Sequence, residues 1–147
     1  MQNAEAERLY TKGVEHLSQG NTLSALSCFE KALKQEDSPH IWSHFALCIA
    51  KERGQIRKAM LLCKEAIERE PDNSVHYLNL GRIYLFTHKK AEAITILREG
   101  LNHEPNEQIV DELNNLVPRK PPVIQFLNRN NPINKYLGII LKILRLR

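Results

Sequence analysis

His40, His44 and Cys48 recur at four-residue intervals, and on a helix that spacing turns all three side chains toward one face. Two imidazoles and a thiol are three of the four donors a structural zinc site needs. No fourth donor stands at a spacing that completes the set, so these residues read as the lining of a helix face, and no metal is expected. Cys28, Cys48 and Cys63 are odd in number and lack CxxC spacing, which suits buried thiols better than a disulfide framework. The sequence contains no Gly-rich phosphate loop, no GxSxG elbow and no HExxH pair. The expectation is therefore a chain with no cofactor and no catalytic apparatus, not an enzyme.

The helix carrying those residues must be one of several. With 42% hydrophobic and 26% charged residues but only 6 Gly and 7 Pro in 147, composition disfavours both disorder and a turn-rich all-β fold. Sliding the sequence along itself by 34 residues aligns three segments that begin near Ala6, His40 and Ser74. Ala25, Ala59 and Ala93 then coincide, Phe29 meets Cys63 and Leu97, Ala32 meets Ala66 and Gly100, and Asp37 meets Pro71 and Pro105. Small residues at fixed places let two helices approach closely, and large ones a turn away fill the gap. The spacing predicts helices over 4–18, 22–35, 39–53, 56–69, 73–86 and 90–103, with Ser38, Asp72, Asn73 and Asn106 as capping side chains. Gly20 and Gly54 close the first helices of two units; His88 stands at the matching place in the third, where a left-handed backbone would strain it.

The third segment, with Tyr77, Leu80, Gly81, Tyr84, Ala93, Leu97 and Pro105, resembles the tetratricopeptide repeat family. The second keeps Ala46, Ala59, Ala66 and Pro71 but has Leu47 where glycine is usual, and the first keeps Gly13, Ala25, Phe29 and Ala32 without the closing proline. The resemblance implies an all-α, right-handed solenoid of three helix-turn-helix units, at about 6–39, 40–73 and 74–107, within a domain spanning 1–117. It also implies a protein-interaction scaffold whose first helices line a concave groove, with Tyr10, Val14, Leu17, His44, Cys48, Lys51, Leu78, Arg82 and Leu85 facing inward. Some members grip a terminal carboxylate with paired lysines and asparagines; here those places hold Tyr10, Val14, Cys48 and Asn79, so an apolar or amphipathic segment is the expected ligand, with Arg82 pairing an acidic group on it.

After the repeats, residues 106–117 read as a capping helix presenting Ile109, Leu113 and Leu116 inward, with acids and amides turned outward. Residues 118–131, with three prolines between Pro118 and Pro122, read as an extended linker, although Val123, Ile124, Phe126 and Leu127 are too apolar for a freely solvated spacer. Residues 132–147 read as a basic amphipathic helix with Lys135, Gly138, Lys142 and Arg145 in one stripe. Its contact side is expected to comprise Tyr136, Leu137, Ile140, Leu141 and Leu144. As a helix these residues reach only about 24 Å, short of a bilayer core of about 30 Å.

Charge divides the chain at the same place. Residues 1–117 hold 14 Lys/Arg and 17 Asp/Glu, a net of −3, whereas 118–147 hold 7 Lys/Arg and no acid, a net of +7. The tail helix is expected to fill the groove, to meet a second copy or a partner, or to rest on an anionic membrane surface. Nucleic acid is disfavoured, because the basic segment interleaves few aromatics. The first twenty residues contain acids and no apolar run, so neither a secretory signal nor a transit peptide is expected, and the expected location is cytoplasmic, peripheral on the inner membrane face if the tail binds lipid.

Overall fold

A computed structural model of the chain describes residues 3–117 and 132–144. Among the described residues there are eight helices and no strand: α1 (Ala4–Ser18), α2 (Thr22–Gln35), α3 (Pro39–Arg53), α4 (Ile56–Arg69), α5 (Ser74–Phe86), α6 (Lys90–His103), α7 (Glu107–Leu116) and α8 (Pro132–Ile143). The chain divides into two compact units, Met1–Leu116 and Val117–Arg147. The expectations placed on 118–131 and 145–147, including the linker and Arg145, lie outside the described residues.

The first unit is an all-α solenoid of helical repeats. Its helices pair as hairpins, α1 with α2, α3 with α4 and α5 with α6, while α2 packs on α3, α4 packs on α5, and α3 also meets α5. The small-residue positions explain why the pairs close. A Cβ added at Gly13 would stand 2.5 Å from the Phe29 ring, and one at Gly81 would stand 2.6 Å from Leu97. Ala25, Ala59 and Ala93, the residues that the 34-residue shift superposes, are all fully buried. One apolar core follows from this, running through Phe29, Ile41, Ile49, Cys63, Leu80 and Ile83. At its end α7 lays Ile109 against Leu97 and Leu78, with Leu113 and Leu116 half-buried beside them, so the last repeat does not show its apolar side to water.

Helix ends follow local chemistry closely. Asn73 and Asn106 accept from the backbone N–H groups of Val75 and Ile109 at 3.1 and 3.2 Å, holding α5 and α7 one residue shorter at the start than their hydrophobic pattern alone suggests. Ser38 is the N-cap of α3 with Pro39 in its first turn, but its side chain makes no capping bond, because its hydroxyl is engaged by His40 Nδ1 at 2.7 Å. The cap expected at Asp72 is corrected: its carboxylate faces His103 at 3.2 Å.

The three helix stops share one geometry: Gly20, Gly54 and His88 have φ of 78°, 64° and 60°. Only His88 carries a Cβ into this left-handed region, which costs on the order of 1 kcal/mol. His88→Gly is therefore expected to stabilise the solenoid by about 0.5–1 kcal/mol, read as a melting temperature a few degrees higher. An unchanged or lower midpoint would show that the His88 side chain contributes a compensating contact.

Candidate functional site

The face expected to bind consists of three rows crossing α1, α3 and α5, each row repeating at 34 residues. Along the first row, the Tyr10 ring meets His44 edge-on at 5.3 Å between centroids, and His44 lies 5.5 Å from Phe29. His44 donates its Nδ1–H to the His40 carbonyl at 3.0 Å and is 8% exposed. Burial there disfavours its cation and holds its pKa down at about 4, while burial pushes the Tyr10 phenol up to about 12. The third member, Leu78, belongs to the small core that α7 closes.

In the second row, Val14 is exposed, Cys48 is fully buried with its thiol pushed up to about 12 by desolvation, and Arg82 is held by Glu112 of α7 through Nε at 2.9 Å. The third row stays open: Lys51 is exposed, and Leu17 and Leu85 are each half-buried. Phe86, next to Leu85, is 45% exposed.

Four expectations about this face are thereby corrected. Cys48 and Leu78 do not line a trough; a small thiol between close-packed helices and a leucine under α7 are both removed from solvent. His44 is nearly so, because Tyr10 and Phe29 cover its ring. Arg82 and Glu112 pair with each other, so the arginine is not left for a ligand's acid and the capping helix does not turn all its acids outward. What remains accessible lies toward the C-terminal ends of α1, α3 and α5: Val14, Leu17, Lys51, Leu85 and Phe86. Phe86 was invisible to the inward-facing reading, since it follows the last position of its row; its apolar type at a helix end was the available signal.

The His40, His44 and Cys48 spacing assembles no metal centre. His40 faces Ser38 and the edge of Tyr10, and among the described residues no group of three or more His, Cys, Asp or Glu side chains is placed to hold an ion.

Family profiles described as "Tetratricopeptide repeat" match residues 6–38 and 50–113. The chain belongs to the tetratricopeptide repeat family. The chain is similar in fold to solved tetratricopeptide domains. These include the first tetratricopeptide domain of Spaghetti (RPAP3) bound to the HSP90 peptide SRMEEVD, at 22% identity and a TM-score of 0.57, over 76% of this chain and 90% of that one. The Sgt2 tetratricopeptide domain of Aspergillus fumigatus matches at 17% identity and a TM-score of 0.62, over 86% and 93% of the two chains. The second tetratricopeptide domain of human RPAP3, in complex with the HSP70 peptide SGPTIEEVD, matches at 22% identity and 0.56, over 79% and 97%.

Against the tetratricopeptide pattern one departure stands out, at the seam of the second and third repeats. Ser43 takes the place that Tyr77 holds in the next unit, and the room left by the smaller side chain admits polar groups. Ser43, His76 and Asn79 are all buried. His76 Nε2–H donates to Glu70 at 2.7 Å, Ser43 Oγ–H donates to His76 Nδ1 at 2.9 Å, and Asn79 donates to Ser43 Oγ at 3.2 Å. Burial lowers the His76 pKa despite Glu70 beside it. Burial also acts to raise the Glu70 carboxyl, but hydrogen bonds from His76 and Asn73 outweigh it and hold that carboxyl below its usual range. A serine, a histidine and a carboxylate in line resemble a hydrolytic triad, but a fully buried hydroxyl already shared between two partners has no room for a substrate. The network joins α3 to α5 and does no chemistry on a ligand.

Proposed function

We propose that the chain is a protein-interaction module whose open first-helix ledge, Val14, Leu17, Lys51, Leu85 and Phe86, takes an apolar or amphipathic segment of a partner protein. The observation that supports this is the contrast between rows. Burial of His44, Cys48 and Leu78, together with the Arg82–Glu112 pair, closes the first two rows except at Val14, whereas the third row, with Val14 and Phe86 beside it, offers apolar side chains around one exposed base. Apolar side chains left in water on one face favour an apolar partner, and a rim lysine sets orientation more than affinity.

The acidic tails named with the RPAP3 domains are poor candidates here. Of the four places that the family resemblance gives to carboxylate-gripping residues, Tyr10 and Val14 offer no cation, and Cys48 and Asn79 are buried. An array of immobilised peptides probed with the full-length chain tests the reading. Leu-, Ile- and Phe-rich amphipathic peptides are expected to retain it, SRMEEVD is not, and the double substitution Leu17→Asp with Leu85→Asp is expected to cut retention about tenfold, the loss of roughly 1.4 kcal/mol. Retention dominated by SRMEEVD, or unchanged by the double substitution, overturns it.

A further inference from the structure

The C-terminal helix presents a second surface, independent of the ledge. Tyr136, Ile139, Ile140, Ile143 and Leu144 recur at three- and four-residue steps and are all exposed, from 48% at Ile139 to 73% at Ile143. Leu137 and Leu141 are half-buried, and Lys142, also exposed, stands off the five-residue face. Five large apolar side chains on one face of one helix are not stable facing water and need a covering surface. The segment that carries them, 118–147, has seven bases and no acid.

We propose that α8 docks by this face on an anionic lipid bilayer, lying in the plane of the interface with its apolar side chains below the headgroups and Lys142 among them. The bilayer supplies both things the helix lacks, an apolar medium and negative charge. Charge argues against the other occupants. Pairing α8 with α8 of a second copy brings together two segments of net +7 with no acid on either. Although residues 1–117 are net −3 overall, the one charge among the five ledge residues is Lys51, of the same sign as the tail's bases. Among the described residues no helix is long and apolar enough to span a membrane.

Co-sedimentation of the full-length chain with phosphatidylcholine vesicles, with and without phosphatidylglycerol, tests this. Partition onto the phosphatidylglycerol vesicles is expected to exceed that onto phosphatidylcholine at least tenfold and to fall as salt is added. Ile140→Asp is expected to abolish it, and Lys142→Glu to weaken it several-fold. Both substitutions lie outside the first unit, and unchanged near-ultraviolet dichroism of Trp42 confirms that both variants stay folded. A Tyr136→Trp variant adds a direct readout, a blue shift of its emission on phosphatidylglycerol vesicles only. No partition, or partition that ignores lipid charge and salt, overturns the proposal. So does a dimer in solution that Ile140→Asp converts to a monomer without any vesicle binding, since α8 then covers a second copy. The ledge substitutions at Leu17 and Leu85 should leave vesicle binding intact, so failure of either reading leaves the other standing.

Discussion

Replacing Phe29 with alanine is expected to lower the stability of the solenoid by about 3–5 kcal/mol. The ring is fully buried, and it fills the hollow that Gly13 leaves, lying so close that even a methyl group at Gly13 would collide with it. It also touches Tyr10 and His44, with centroids 6.0 and 5.5 Å away, so side chains of α1 and α3 lose a common partner at once. The surrounding helices cannot collapse into the space without breaking their own pairing, which puts the cost at the upper end for a core truncation. Domains of this size are held by roughly 5–15 kcal/mol in total, so the variant should sit near its unfolding threshold at room temperature. Urea unfolding followed by helical dichroism reads the effect, with Leu61→Ala as the control; Leu61 is 67% exposed, and its truncation should change stability by no more than about 0.5 kcal/mol. Comparable midpoints for the two variants would refute the packing argument.

Acidification should be the second large destabiliser. The His44 pKa is about 4 in the fold and about 6.5 in an unfolded chain, so below pH 6.5 the unfolded state binds a proton that the native state refuses. The stability that neutral His44 provides is thus complete above pH 6.5 and is lost as pH falls toward 4, by up to about 3 kcal/mol. His76, whose pKa is also lowered, acts in the same direction. Unfolding free energies measured from pH 7 to pH 4 should decline, and His44→Leu, which places at this row position the residue Leu78 supplies in the third repeat, should flatten part of the decline. Stability that holds level or rises over that interval would show the imidazole charging without penalty.

Much of the fold was legible because each helix boundary rests on chemistry within a few residues. Asn73, Asn106 and the two left-handed glycines act on their own turns, and a 34-residue period repeats that local logic. The 34-residue rows across the first helices were legible for the same reason. Which members of a row stay exposed was not, because exposure depends on groups far along the chain. Leu78 is covered by Ile109, Arg82 is taken by Glu112, and His44 is roofed by Tyr10 and Phe29. Nor does the family pattern call for a polar seam. Ser43 looks like a weakened repeat position until His76 and Asn79, more than thirty residues away, are seen to bond to it.

That seam means the repeats are not interchangeable parts. The first joint is made of rings, Tyr10, Phe29 and His44, and the second of a serine, a histidine, an asparagine and a carboxylate, so neither joint accepts the other's partner. Swapping the first and third repeats, or duplicating the second, would set a buried histidine or asparagine against an apolar surface with nothing to bond it. An array built this way has a fixed order written into its interior, and it can be lengthened only at its ends, on the far side of α1 or in place of α7.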